Sequence, residues 1–187
     1  MFSLRRAVTK SSAAQIQSPI ARRCFHVSAT HSVKVGDGIP DVELMESSPG
    51  NKVNLATEFK GKKGVIVGIP AAYSPSCSES HVPGYINSPK LKNAGSVFVV
   101  SVNDPFVMNA WGKILDPSAK SGIRFIADPE LKFTKALDLS FDQAAAIFGG
   151  ERSKRYALLV EDGKVKEAFV EADNTGLNVS AAEKVLQ

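Results

Sequence analysis

The sequence predicts a single α/β domain with a mixed β-sheet, and three observations support this prediction. The runs at 65–69 and 96–102 are apolar and rich in β-branched residues, as in strands that are buried on both faces of a sheet. Helix-start signals follow both runs, and no internal linker or repeat divides the chain. With 187 residues, of which 43% are hydrophobic and 22% are charged, the chain is large enough for one well-buried core.

Short strands and turns are expected before Pro70. They are a turn with a short alternating strand within 35–45, a hairpin turn at 47–51, a strand at 52–55, a charged loop at 60–63 and the buried strand at 65–69. Pro70 ends the last of these strands, because proline has no N–H group to donate to a neighbouring strand.

After Pro70, helices and strands are expected to alternate. They are a helix from 75 to about 85, a helical piece from 87–89, a strand at 96–102, a helix at 106–115, a strand at 124–127, a helix through 137, a hairpin of strands 156–160 and 165–170, and a helix from Ser180. Pro83 and Gly84 are expected to kink the first helix, and Asp128 to cap the helix that ends at 137. This order predicts a single α/β sandwich with a mixed sheet.

The first 32 residues differ in composition from the rest of the chain. Before His31 there are five basic residues and no acidic residue, whereas 18 basic and 19 acidic residues follow. A segment with arginine and serine but no acid is typical of a mitochondrial transit peptide, and a disordered basic tail is the alternative. Residues 23–32 also resemble the R-x-F-x-x-S pattern of two-step processing in the matrix. We therefore expect a presequence at 1–32, a domain at 33–187 with a mature start near Val33, and a location in the mitochondrial matrix.

Charge and hydropathy argue against two classes of partner. The net charge of +4 comes from the amino-terminal segment, so it is no evidence for nucleic-acid binding. No apolar run reaches the roughly 20 residues that are needed to cross a bilayer. Neither a nucleic acid nor a membrane is expected as a partner.

Cys77 is the residue on which the functional prediction depends. Ser74 has the chemistry of a helix N-cap and Pro75 that of a first helical residue, which places Cys77 in the first turn, among backbone N–H groups without helical partners. The thiolate is the nucleophile, yet an ordinary cysteine is only a few per cent ionised at neutral pH. Making such a thiol mostly anionic needs about 3.4 kcal/mol, and a helix N-terminus supplies at most about 2 kcal/mol. A cation from elsewhere in the chain is therefore expected beside Cys77.

The stretch Pro70-Ala-Ala-Tyr-Ser74-Pro-Ser-Cys77 resembles the P-x-x-x-(T/S)-x-x-C motif of peroxiredoxins. Its continuation through Tyr85 resembles the type II, or fifth, subfamily, and the resemblance extends from about Val35 to the carboxyl end. It implies a thioredoxin-like fold and a cysteine that attacks the O–O bond of a peroxide and becomes a sulfenic acid.

The resemblance also implies the residues of the site. Cys77 would be the peroxidatic nucleophile, and the hydroxyl of Ser74 would contact the thiolate and the peroxide as well as cap the helix. Pro70 would shield the thiolate from water, although ending a strand explains this proline equally well.

Arg155 is the candidate for the missing cation. It begins the run Arg155-Tyr-Ala-Leu-Leu-Val160, which matches the R-(F/Y)-x-(L/M)-V context of the arginine in that family. A guanidinium can lie beside an anion without losing its proton, and the start of a buried strand would place it at one end of the sheet. Arg152 and Lys154 are expected to be solvated neighbours.

His81 and the segment 103–112 each allow two interpretations. His81 lies four residues after Cys77 and could serve as the base of a cysteine hydrolase, but catalytic Cys–His pairs usually come from separate elements, so a structural role is expected. The segment 103–112 either places Phe106 and Trp111 in the core or forms the surface of a homodimer beside the active-site loop, as the resemblance implies.

The cysteine count bears on the mechanism. The chain has two cysteines, Cys24 and Cys77, and loss of the presequence leaves only Cys77. An internal disulfide or a multi-cysteine metal site is then excluded, and we expect no metal and no other cofactor. Plant and animal relatives often carry a resolving cysteine in the segment matching 175–180, where this chain has Asn178 and Val179. The resemblance therefore points to a one-cysteine, mitochondrial, fungal-like form.

The leading hypothesis is a thiol peroxidase that reduces hydrogen peroxide and alkyl hydroperoxides in antioxidant defence. An external thiol must regenerate Cys77 before more peroxide takes the sulfur to the sulfinic state, and both glutathione with glutaredoxin and the thioredoxin system could do so. The alternative is a peroxide sensor or redox relay that uses the same cysteine. A cysteine hydrolase based on His81 is a third hypothesis, and a thioredoxin-type oxidoreductase is disfavoured because the chain has no C-x-x-C.

Overall fold

The computed structural model describes residues 32–187. The presequence expected at 1–32, together with Cys24, therefore lies outside the described residues except for Ser32. The described part of the chain contains strands β1 (Glu43–Glu46), β2 (Ser48–Asn54), β3 (Lys63–Ile69), β4 (Ser96–Ser101), β5 (Arg124–Ala127), β6 (Ser140–Phe141), β7 (Arg152–Ser153), β8 (Tyr156–Glu161) and β9 (Lys164–Val170). Its α-helices are α1 (Leu55–Glu58), α2 (Val82–Ile86), α3 (Pro105–Leu115), α4 (Lys132–Ala136), α5 (Ala145–Phe148) and α6 (Ala182–Val185).

Seven strands form one mixed sheet in the order β2-β1-β5-β4-β3-β8-β9, and β6 and β7 form a separate pair. The three central strands β3, β4 and β5 are parallel, whereas β8 runs antiparallel to β3 and β1 antiparallel to β5. The predicted mixed sheet is therefore confirmed. Two of its central strands, β3 and β4, are the apolar runs that the sequence singled out.

The alternation of side chains along β3 divides the core into two layers. Val65, Val67 and Ile69 belong to the cluster on one face of the sheet, which also contains Cys77, and Ile66 belongs to the cluster on the other face. Both layers consist mainly of buried side chains. The sheet is thus covered on both faces, as parallel central strands require.

The strand directions bring separate parts of the chain to one edge of the sheet. β3 and β4 are parallel, so their carboxyl ends meet at the same edge. β8 is antiparallel to β3, and Gly68 pairs with Tyr156, so β8 begins at the edge where β3 ends. Arg155, the residue before β8, is thereby placed beside the segment that follows β3.

Several predicted bounds are wrong for reasons that lie in distant contacts. The hairpin turn predicted at 47–51 is shorter in the structure: Ser47 has φ 63°, and Ser48 already pairs with Glu46 of β1. Residues 49–51 of β2 form an irregularity between that pair and the pairing of Lys52 with Met45. Asp128 caps α4 from a distance, because its carboxylate accepts hydrogen bonds from the N–H groups of Phe133 and Thr134, at 3.3 and 2.8 Å. Helix α4 therefore begins later than predicted, and helix α6 begins at Ala182 rather than at Ser180.

Candidate active site

The loop after β3 is held to the end of β4 by the side chain of Asn103. Its Oδ1 accepts hydrogen bonds from the N–H of Ala72 (2.9 Å) and from the hydroxyl of Ser101 (2.8 Å). Pro70, which was expected to end the strand, directly follows β3 and is buried. The sequence predicted Asn103 only as part of a helix start, and its contact with the loop depends on the pairing of β3 with β4.

The helix that carries Cys77 begins where the sequence predicted, but its cap differs. The first hydrogen bond of helical spacing runs from the N–H of Ser78 to the carbonyl of Ser74, at 3.0 Å. The hydroxyl of Ser74 donates to the carbonyl of Ala71, at 3.0 Å, instead of accepting a hydrogen bond from the helix start. Neither the side-chain cap nor the contact of Ser74 with the sulfur is therefore present in this structure.

Residues Cys77–His81 form a π-helical turn, which precedes α2. Its last hydrogen bond runs from the N–H of Val82 to the carbonyl of Cys77, five residues back. Pro83 follows directly and has no N–H group to continue an α-helical ladder. The irregularity that was predicted at Pro83 and Gly84 is therefore placed one turn earlier, at the cysteine itself.

Arg155 lies against the sulfur of Cys77. Both residues are buried, with relative exposures of 2% and 0%, and Nη1 of Arg155 donates to Sγ of Cys77 at 3.3 Å. Nε of the same guanidinium donates to the carbonyl of Thr175 at 3.0 Å. No ion pair within residues 32–187 includes Arg155.

This burial has an electrostatic consequence. An arginine stays protonated, and a buried charge without an opposite charge is costly. In the described part of the chain no carboxylate lies within 4 Å of this guanidinium, so the sulfur of Cys77 is the contacting atom that can supply the negative charge. The geometry thus places a buried positive charge next to the sulfur of Cys77.

His81 contacts the guanidinium rather than acting on the sulfur. Its Nδ1 lies 3.0 Å from Nη1 of Arg155, and its Nε2 lies 3.1 Å from the carbonyl of Ser180. Because a guanidinium can only donate, Nδ1 must accept, and the proton therefore lies on Nε2 and is donated to Ser180. Burial and then the charge of Arg155 lower the pKa of His81 to about 4. The imidazole is thus neutral at physiological pH.

The carbonyl of Ser180 is shared by two buried side chains. It accepts from His81 and from the hydroxyl of Tyr85, the latter at 2.7 Å. Burial raises the pKa of Tyr85, so this hydroxyl keeps its proton and remains a donor. The π-helical turn and α2 are therefore anchored to the segment before α6.

The two aromatic side chains of helix α3 differ in exposure. Trp111 is buried, and its indole N–H donates to the hydroxyl of Ser78 at 3.1 Å, next to Cys77. Phe106, in contrast, is 62% exposed, so its predicted place in the core is wrong. Tyr73, in the loop after β3, is 51% exposed and its ring centroid lies 6.4 Å from that of Trp111.

Arg152 is not the solvated neighbour that was expected. It is half-buried, and its guanidinium donates to the carbonyls of Val102 and Phe148, both at 3.2 Å. These bonds tie β7 to the end of β4 and to the end of α5. Lys154 is partly buried.

Sequence reasoning missed the residues that support the site through backbone groups. Thr175 and Ser180 act through their carbonyl oxygens, which carry no signal of residue type. Glu171 is a buried carboxylate whose partners lie seven to nine residues further along the chain, and nothing in its neighbours predicts its burial.

Within residues 32–187, no group of three or more His, Cys, Asp or Glu side chains could hold a metal ion, and none of the helices has the length and apolar character of a membrane span.

Comparison with known proteins places the chain among related sequences. The sequence model of the Redoxin family matches residues 34–186. Peroxisomal membrane associated protein 20 of Schizosaccharomyces pombe is 45% identical over 157 residues, which cover 82% of this chain and 97% of that protein. Peroxiredoxin-2F, mitochondrial, of Arabidopsis thaliana is 46% identical over 143 residues, which cover 75% of this chain and 70% of that protein.

The fold is also that of a solved protein. The crystal structure of reduced Prx3 from Vibrio vulnificus in complex with hydrogen peroxide superposes with a TM-score of 0.74 at 39% sequence identity. The superposition covers 82% of this chain and 97% of that chain. The mixed sheet flanked by helices is therefore a thioredoxin-like fold.

Proposed function

The chain belongs to the Redoxin family and, within it, to the type II peroxiredoxins, and from this membership we propose how its own residues carry out the reaction. The protein is an oxidoreductase that reduces peroxides at the expense of thiols. We propose that Cys77 is the reacting sulfur, that Arg155 is its cation, and that Pro70 and Ser74 complete the site. The observation that supports this proposal is the hydrogen bond from Arg155 to the buried Sγ of Cys77.

In the proposed reaction the Cys77 thiolate attacks one oxygen of the peroxide. An S–O bond forms while the O–O bond breaks, so the sulfur loses two electrons and the leaving oxygen departs as hydroxide or alkoxide. A proton then converts this leaving group to water or an alcohol, and Cys77 is left as a sulfenic acid. The Vibrio vulnificus relative was solved with hydrogen peroxide, which supports this substrate class.

Arg155 and the helix start stabilise the charge as it moves from sulfur to oxygen. The guanidinium is oriented by Thr175 and His81 before the peroxide arrives, so little reorganisation is needed during the reaction. The N–H groups of Ser76 and Cys77 precede the first helical hydrogen bond and can donate to the peroxide. A rotation about χ1 would turn the hydroxyl of Ser74 from Ala71 toward the peroxide. Pro70 would keep water from the thiolate.

An external thiol completes the cycle in this proposal. The thiol attacks the sulfenic acid, releases water and forms a mixed disulfide, and a second thiol then reduces that disulfide and restores Cys77. Cys77 is the only cysteine among residues 32–187, so no internal partner within them can perform the first step. We propose glutathione with glutaredoxin or the thioredoxin system as the reductant.

The proposed function is tested by consumption of hydrogen peroxide and of an alkyl hydroperoxide in the presence of each reductant. Wild-type protein should turn over with at least one reductant, and mass spectrometry after one equivalent of peroxide should find one added oxygen on Cys77. Cys77→Ser should lose both activity and oxidation. Turnover by that variant equal to that of the wild type would refute the role of Cys77.

We propose a homodimer that uses the exposed apolar side chains beside the site. Tyr73 and Phe106 are exposed at the edge that carries Cys77, and large exposed aromatic residues are enriched at protein interfaces. Light scattering should give the mass of two chains for the wild type and of one chain for Phe106→Glu. A wild-type protein that remains monomeric at high concentration would contradict this assignment.

We propose that residues 1–32 are a mitochondrial presequence and that the mature protein begins near Val33 in the matrix. The mitochondrial relative from Arabidopsis thaliana supports this location, whereas the relative from Schizosaccharomyces pombe is named for the peroxisomal membrane. Fusion of residues 1–32 to a fluorescent protein should direct it to mitochondria. Amino-terminal sequencing of the recovered fusion locates the cleavage, and a peroxisomal or cytosolic fusion would contradict the proposal.

A further inference from the structure

Glu171 is a buried carboxylate that follows β9. Its relative exposure is 5%, and its Oε1 accepts three hydrogen bonds. The donors are the N–H of Asn178 at 2.7 Å, the N–H of Ser180 at 2.9 Å and the hydroxyl of Ser180 at 2.7 Å. Burial disfavours the charged form, but these hydrogen bonds outweigh burial and hold the pKa of Glu171 below its ordinary value. Oε1 of Glu171 thus holds the turn at 178–180 through three hydrogen bonds.

The segment that Glu171 holds supplies the acceptors for the groups around Cys77. The carbonyl of Thr175 accepts from Nε of Arg155, at 3.0 Å, and the carbonyl of Ser180 accepts from Nε2 of His81, at 3.1 Å. His81 in turn accepts from the same Nη1 of Arg155 that donates to the sulfur. A continuous chain of contacts therefore runs from Glu171 through Ser180, His81 and Arg155 to Cys77.

The backbone around Arg155 is held by the same region. The N–H of Arg155 donates to the carbonyl of Asn174 at 2.7 Å, and the N–H of Glu171 donates to the carbonyl of Arg155 at 3.0 Å. The guanidinium and its backbone thus both depend on the segment 171–180.

The carboxylate of Glu171 is stabilised by hydrogen bonds and not by a cation. Among residues 32–187 it forms no ion pair with lysine or arginine, and its partners are N–H and hydroxyl groups. A carboxylate paired with Arg155 would compete with the thiolate for the guanidinium. The observed arrangement anchors the segment 174–180 and leaves the guanidinium of Arg155 available to the sulfur of Cys77.

We propose that Glu171 is a positioning residue for the peroxidase reaction, which orients Arg155 and His81 by anchoring the segment 174–180. This inference rests on the proposed roles of Cys77 and Arg155. Without the carboxylate the N–H groups of Asn178 and Ser180 lose their acceptor, and the carbonyls of Thr175 and Ser180, which hold the guanidinium and the imidazole, are free to move.

The test measures the second-order rate of Cys77 oxidation by hydrogen peroxide in Glu171→Ala. Misplacement of an orienting group costs on the order of 10-fold to 100-fold in rate, and we expect a loss in this range. Glu171→Gln keeps an acceptor oxygen and should recover most of the rate. Glu167→Ala is the matched control, because Glu167 is exposed on β9 and forms no ion pair among the described residues.

A double-mutant cycle separates positioning from general destabilisation. If Glu171 acts through Arg155, adding Glu171→Ala to Arg155→Lys should lower the oxidation rate no further. Alkylation of Cys77 by iodoacetamide gives a second readout, since an opened segment should speed access to the buried sulfur while peroxide oxidation slows. Ser180→Ala removes one of the three hydrogen bonds with little change in volume. It should show a smaller loss of the same kind, so it keeps the test decisive if Glu171→Ala does not fold.

The outcomes distinguish this inference from the proposed function. Wild-type rates in Glu171→Ala, or losses that multiply in the double variant, would overturn the positioning role and leave Cys77 and Arg155 as proposed. A wild-type rate in Arg155→Lys would refute the role of Arg155 and the inference with it.

Discussion

Acidification should destabilise the protein through one buried imidazole. His81 has its pKa lowered to about 4 by burial and by Arg155, whereas an unfolded histidine has a pKa of about 6.5. Between these values the unfolded chain binds a proton that the folded chain does not, so the free energy of unfolding falls as the pH falls from 6.5 toward 4. At about 1.36 kcal/mol for each pH unit, His81 removes about 3 kcal/mol of stability by pH 4.

The matched variant is His81→Gln. A glutamine can accept from Arg155 through its carbonyl and donate to Ser180 through its amide, but it cannot bind a proton in this range. The other two histidines, His26 and His31, are present in both proteins and cancel in the comparison. Above pH 7 the two proteins should differ only by the packing of the new side chain.

The assay is urea unfolding at several pH values between 4 and 7, followed by circular dichroism and by the fluorescence of Trp111, the single tryptophan. The free energy of unfolding of the wild type should drop more steeply with acidification than that of His81→Gln, by a total of about 3 kcal/mol. Parallel curves for the two proteins would show that His81 is not held neutral in the folded state, and would refute the assignment of its tautomer.

Three further predictions concern Arg155, the adjacent Tyr156, and Gly68, which packs against Tyr156. A Cβ on Gly68 would lie 2.0 Å from the ring of Tyr156, so Gly68→Ala should lower the free energy of unfolding by about 3 kcal/mol or prevent folding, as measured by urea unfolding. The hydroxyl of Tyr156 is buried and has no hydrogen-bond partner among residues 32–187, so Tyr156→Phe should raise the free energy of unfolding by about 1 kcal/mol, and a loss would show that the hydroxyl has a partner. Arg155→Lys replaces the forked donor that joins Cys77 to its surroundings, so kcat/KM for hydrogen peroxide should fall on the order of 100-fold, and an unchanged value would contradict stabilisation of the moving charge by Arg155.

The central strands could be predicted because their signal is local. Strands β3 and β4 are mostly apolar and rich in β-branched residues, and each is followed by residues that favour a turn or a helix start. The start of helix α3 was equally clear, because Asp104 caps the backbone of the next few residues. By contrast, the turn after β1 and the start of α4 depend on strand pairing and on a carboxylate that reaches across a loop. Local composition predicts neither the strand pairing nor the reach of this carboxylate.

The candidate site also has features that local sequence predicts and features that it does not. The motif around Cys77 is contiguous, and the context of Arg155 is recognisable by resemblance, so both could be named before any coordinates. The direction of the Ser74 hydroxyl and the exposure of Phe106 could not, because each is set by neighbours that are remote in sequence or by a surface left uncovered.

The α/β class, the helix start that carries Cys77 and the single cysteine after the amino-terminal segment can all be read from the amino-acid order, because each depends on neighbouring residues or on a count. The folded arrangement was needed to find that Arg155 contacts the sulfur, that His81 is neutral and turned toward Arg155, and that Glu171 binds the segment at 178–180. These contacts join residues up to 99 positions apart, which come together only when the sheet and the segments beside it have packed.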